Sequence, residues 1–91
     1  MTRHLTIRVY GIVQGVFFRD SAKQEADNLS LSGFVRNEPD GSVYIEIEGE
    51  DKNLEKFLGW CRKGSLPAKT EKVDVGFSDK LKEYKSFRID F

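Results

Sequence analysis

Ninety-one residues, 38% hydrophobic and 33% charged, are enough for one domain over residues 1–91, and no run approaches the ~18 consecutive apolar residues of a membrane span. Fifteen basic and fifteen acidic side chains cancel, with +3 over residues 1–24, −7 over 25–51 and +4 over 52–91, so the net basic surface of a nucleic-acid binder is missing. One cysteine, Cys61, excludes an internal disulfide framework and a multi-thiolate metal site, and the N-terminus carries no apolar signal segment; a cytoplasmic protein is expected.

The first element is a strand in which Leu5, Ile7 and Val9 alternate with Thr6, Arg8 and Tyr10. Phe18, Ala22, Ala26 and Leu29 then recur at helical spacing, with Ser21 and Gln24 in capping-box register or Asp20 as the cap. Residues 33–48 read as a β-hairpin: Gly33-Phe34-Val35-Arg36-Asn37, the turn Glu38-Pro39-Asp40-Gly41, and a strand with Val43, Ile45 and Ile47 on one side. On its other side, which also carries Tyr44, Glu46 and Glu48 are expected to form an exposed face. Leu54, Phe57, Leu58 and Cys61 form the stripe of a second helix, with Asp51 before it and Gly64 as its stop. Leu66-Pro67 falls in a loop, Val73, Val75 and Phe77 mark a strand, and Phe87, Ile89 and Phe91 a short last one.

This order predicts an α+β fold: a ferredoxin-like βαββαβ sandwich, its antiparallel sheet covered on one face by two helices, with a short extra C-terminal strand. Such a fold hosts many functions, so chemistry has to be sought in particular residues.

The stretch Gly11-Ile12-Val13-Gln14-Gly15-Val16-Phe17-Phe18-Arg19 joins the first strand to the first helix, and residues 9–18 hold no charge. Glycines let successive backbone N–H groups converge on an anion, a helix N-terminus adds partial positive charge, and arginine offers a planar fork for phosphate oxygens. Together they can form a phosphate cradle. Read singly, the same glycines are turn residues and the arginine a solvated charge. The spacing fits neither GxxxxGK[ST] nor GxGxxG.

Val9-Tyr10-Gly11-Ile12-Val13-Gln14-Gly15-Val16-Phe17-Phe18-Arg19 closely resembles the acylphosphatase signature V-x-G-x-V-Q-G-V-x-F-R. Gly33-Phe34-Val35-Arg36-Asn37, followed by Gly41-Ser42-Val43 and Gly49, resembles that family's second signature, and the connection from Gly64 to Val75 is similar as well. The resemblance implies an enzyme that hydrolyses acyl phosphates to a carboxylate and inorganic phosphate, without metal or cofactor. It implies that the loop backbone of residues 11–19 and Arg19 bind the phosphoryl group and that Asn37 positions the attacking water. A small-molecule acyl phosphate is then the partner, phosphate or sulfate compete with it, and a monomer is expected. One departure stands out: Glu38 follows the asparagine, and its carboxylate would weaken anion binding if it faced the site.

The implied reaction suits these residue types. An acyl phosphate expels a carboxylate whose conjugate acid has a pKa of roughly 4, so no proton need be supplied to it. Positioning and electrostatic stabilisation remain, the work of N–H donors and an arginine. Asn37 can orient water but is no base, which leaves the substrate's own phosphate as proton acceptor. The other readings are a non-catalytic phosphate-binding module on the same cradle and an RNA-binding ferredoxin-like domain, the latter disfavoured by neutral charge and by the expected absence of sheet-face aromatics. His4 reads as a surface histidine, Cys61 and Trp60 as packing residues, and Lys69, Lys72, Lys80, Lys82 and Lys85 as a solvated surface.

Overall fold

The computed structural model describes residues 1–64 and 67–90. Strand β1 (Thr2–Ile12) leads to helix α1 (Phe18–Asn28), the hairpin strands β2 (Ser32–Asn37) and β3 (Val43–Glu50), helix α2 (Asp51–Lys63), and strands β4 (Lys69–Ser78) and β5 (Phe87–Ile89). Leu66 and Phe91, assigned above to a loop and to the last strand, lie outside the described residues. The five strands form one sheet in the order β4-β1-β3-β2-β5. The β1–β3, β1–β4 and β2–β3 pairs are antiparallel, whereas the short β5 runs parallel to β2. No helix among the described residues is long and apolar enough to cross a membrane.

Alternation decides which side of each strand is buried. Leu5, Ile7 and Val9 sit opposite Ile47, Ile45 and Val43, and directly paired residues point to one face. That face meets the apolar stripes of both helices, so Phe18, Ala22 and Ala26 of α1 and Leu54, Phe57, Leu58 and Cys61 of α2 enter one core with it. Phe57 packs against Trp60 and against Phe87, which brings β5 into the same layer.

Helix α1 starts earlier than a cap at Asp20 or Ser21 would allow. Its N-cap is Phe17, in the left-handed region with φ +62°, and no side chain caps it. Ser21 is already inside the helix, donating its N–H to the Phe17 carbonyl. At the other end Leu31 N–H reaches back to Ala26 O, and Ser30 turns the chain with φ +56°. The helix thus begins at the exit of the loop and delivers Arg19 in its first turn.

The outer sheet face departs most from expectation. His4, Glu46 and Glu48 are buried, not exposed. The connection between β4 and β5 crosses this face, where Lys82 Nζ and Tyr84 OH donate to Glu46 and the Lys82 and Glu83 N–H groups donate to Glu48. His4 lies between the two carboxylates, 2.7 Å from Glu48 and 3.0 Å from Glu46. Alternation separates the two sides of a strand; it does not tell whether an irregular segment covers the polar one. Aromatic rings also occupy this face, contrary to expectation: Phe34 and Tyr44 lie there, under the guanidinium groups of Arg36 and Arg8. Phe77 pairs with Leu5 on the helix side, yet it is 68% exposed because β4 is an edge strand at the margin of the helical layer.

Candidate active site

The stretch from Gly11 to Arg19 divides into strand, loop and helix. Gly11 and Ile12 end β1, opposite Thr70 and Lys69 just past a register shift at Tyr10/Gly11. Val13 turns into the core with 1% exposure and anchors the loop, and Val16 packs against that core from the side. Between them Gly15 takes φ +72° with open space around it, a backbone state that costs a glycine little. Phe17 takes the left-handed state with a β-carbon, and its ring is 74% exposed. Such conformations cost about 1–3 kcal/mol and survive where the surrounding structure imposes them.

A cleft of about 360 Å³ opens at this turn, lined by Val13, Gly15, Phe17, Phe18, Arg19, Asp20 and Ile89. It lies at the N-terminus of α1, where the first N–H groups have no acceptor within the helix and the helix dipole favours an anion. Arg19 is half-buried, and its Nη1 donates to the Asp90 carbonyl at 3.3 Å. Asp90 N–H in turn donates to Val35 O of β2, two residues before Asn37. Asp90, the residue after the last strand, therefore links the Arg19 guanidinium to β2 at Val35.

Asn37 closes β2 opposite the fully buried Val43, so it faces the helix side of the sheet. Its Oδ1 is buried and accepts no hydrogen bond among the described residues. A buried acceptor without a donor is costly, and it is satisfied when a donor such as water is held there. Asn37 does not line the cleft that holds Arg19. Two connections tie it to that cleft: Asp90, through Val35, and Gln14, whose side-chain amide donates to Glu38 O at 2.7 Å and Ser42 O at 2.8 Å.

Glu38 does not oppose an anion here. Its carboxylate pairs with Arg8 and Arg36 at 3.3 Å each, and both arginines belong to the outer face, opposite the helices. In the same turn Asp40 accepts the N–H and hydroxyl of Ser42, which hold its carboxyl below the usual range. His4 lies on the outer face, away from the helix side that Asn37 faces. Cys61 is fully buried, and burial pushes its thiol far up, so it is a packing residue. Among the described residues no three His, Cys, Asp or Glu side chains are grouped so as to hold a metal ion.

Two contacts have no signal in the sequence. Asp90 sits 71 positions from Arg19, and nothing in residues 87–90 marks its carbonyl as a clamp. The amide of Gln14 finds its acceptors only once the hairpin turn is folded beside the loop.

A family model described as Acylphosphatase matches residues 5–89. An acylphosphatase of Paenarthrobacter aurescens is 41% identical to this chain, covering 97% of it and 94% of the relative. One of Legionella pneumophila is 44% identical over 98% and 99% of the two chains. The crystal structure of acylphosphatase from Bacillus subtilis superposes with a TM-score of 0.95 at 36% identity, covering both chains completely. A glycine loop at a helix N-terminus, an arginine in its first turn and this breadth of likeness agree: the chain belongs to the acylphosphatase family, the hydrolases of acyl phosphates.

Proposed function

We propose that hydrolysis runs by direct attack of a water held by Asn37 on a phosphoryl group held by the β1–α1 loop and Arg19. The phosphoryl oxygens take N–H groups of the loop and of the first turn of α1, together with the Arg19 guanidinium, donors that act on the charge spread over these oxygens in the transition state. Water donates one hydrogen to Asn37 Oδ1, which turns its lone pair toward phosphorus. The new P–O bond forms as the bond to the acyl oxygen breaks. The carboxylate leaves with that electron pair, and the water's proton passes to a phosphoryl oxygen of the substrate itself. A carboxylate leaving group needs neither a general acid nor a Lewis acid.

The observation that carries this reading is Asn37 Oδ1, a buried acceptor without a donor among the described residues, at the end of the strand to which Asp90, a partner of Arg19, is hydrogen-bonded. In this reading the protein is a single domain over residues 1–91, working as a cytoplasmic monomer on a small-molecule acyl phosphate. Inorganic phosphate and sulfate compete for the cradle. Steady-state hydrolysis of benzoyl phosphate by folded variants is the test. Arg19→Ala is expected to lower kcat/KM by on the order of 10³-fold or more, the range of an arginine acting on a transferring phosphoryl group. Asn37→Ala should cost roughly 10²–10³-fold, mostly in kcat. Unchanged hydrolysis in either variant would remove the role given to that residue.

A further inference from the structure

We propose that Gln14 is a positioning residue for this hydrolysis: its side-chain amide locks the phosphate-holding loop to the turn that begins beside Asn37, and so sets the distance between phosphorus and the attacking water. The inference rests on the roles given above to Arg19 and Asn37. Gln14 follows the core-anchored Val13, which fixes its backbone on one side, and precedes Gly15, which turns the chain with a positive φ. Its Nε2 donates to Glu38 O at 2.7 Å and to Ser42 O at 2.8 Å. Both partners are carbonyl oxygens, which only accept, so the amide orientation is forced and both of its donors are used.

Those two carbonyls are the ones that close the turn. Glu38 N–H donates to Ser42 O at 2.9 Å, and Gly41 N–H donates to Glu38 O at 3.1 Å. Each oxygen has a second lone pair, and Gln14 takes both. No other hydrogen bond among the described residues joins residues 13–17 to residues 38–42. The ladder of β2 with β3 fixes Asn37 relative to the sheet, and among the described residues only the Gln14 amide hydrogen-bonds the turn directly to the loop. Catalysis by orientation is sensitive to such registration, since a misplacement of ~1 Å can cost about 10²-fold.

The role predicts a split between binding and turnover. Gln14 supplies no side-chain donor to the phosphoryl group. Gln14→Met, of similar length and without donors, is therefore expected to keep KM for benzoyl phosphate and the inhibition constant of inorganic phosphate within about twofold, while kcat falls roughly 10- to 100-fold. Gln14→Asn keeps the amide but is one methylene short. It carries the same expectation and takes the place of Gln14→Met if that variant does not fold. Because Gln14 acts through Asn37, adding Gln14→Met to Asn37→Ala should cost little more than Asn37→Ala alone. Wild-type kcat in a folded Gln14 variant would overturn the proposal, as would equal losses in kcat and phosphate affinity. Full activity in Asn37→Ala would overturn instead the reading on which it rests.

Discussion

Gly33, at the start of the site's second strand, shows how closely one residue is constrained. Its φ is +144°, its N–H donates to Ser86 O, and a β-carbon there would collide with the backbone carbonyl of Glu46 on the neighbouring strand. Backbone strain and backbone displacement would add, and neither can be relieved by a side-chain rotation. Gly33→Ala is expected to destabilise the protein by about 3 kcal/mol, among the larger single-residue effects. For a chain of this size that is a fall in thermal midpoint of roughly 12–24 °C, read by circular dichroism. A change under about 3 °C would mean that β2 and β3 can part locally. Phe17 is the opposite case at the same scale. It holds a left-handed conformation with a side chain that disfavours it, and no residue pattern announced this. Its strain arises from joining a loop that ends in core-packed Val16 to a helix that begins at core-packed Phe18.

At the scale of elements, the outer sheet face links β1, β3 and the segment between β4 and β5 through two carboxylates. Burial raises the pKa of Glu46, but hydrogen bonds from Lys82, Tyr44 and Tyr84 outweigh it and hold the carboxyl at about 2. Glu48 is also lowered, burial being outweighed by the Lys82 and Glu83 N–H groups and by His4. A carboxyl lowered in the folded state stabilises it above the unfolded pKa, and that contribution is lost as pH falls through the folded value. Stability is therefore expected to be full above about pH 5 and to decline toward pH 2, with Glu46 accounting for roughly 2 kcal/mol of the loss by pH 3. Urea unfolding at pH 7 and pH 3 measures this, and Glu46→Gln should remove most of the difference contributed by that residue. An unaltered pH dependence in Glu46→Gln would place the acid sensitivity elsewhere. These contacts also mark the limit of the sequence patterns. Period-two runs located β1, β3 and β4, and helical stripes located α1 and α2, because one face of each meets a core. Residues 79–86 have no periodicity, so their passage over His4, Glu46 and Glu48 left no trace. The parallel pairing of β5 depends on Phe87 reaching Phe57 across the core, a contact between residues 30 positions apart.

For the whole molecule, the site joins distant parts of the chain. In the proposed site the loop after β1 is the cradle, the last residue of β2 is Asn37, β5 contributes Ile89 to the cleft wall, and Asp90, just beyond β5, offers the carbonyl that receives Arg19. The proposed roles of the loop and of Asn37 come from two local motifs in the sequence; the contact of Asp90 with Arg19 has no such marker, because it is made to a backbone carbonyl by topology alone. An anion that binds this assembly and not the unfolded chain must stabilise the molecule by mass action. At ten times its dissociation constant the gain is ~1.4 kcal/mol, a rise in thermal midpoint of about 6–11 °C for a chain of this size. Net charge is zero, so general screening by salt has no large self-repulsion to relieve and should move the midpoint far less. Phosphate and sulfate are thus expected to raise the midpoint with saturation, while chloride at matched ionic strength does not. The same titration on Arg19→Ala should lose most of the shift. Equal shifts with chloride, or a full phosphate shift in Arg19→Ala, would locate the stabilising anion outside the cleft and leave the loop without its proposed ligand.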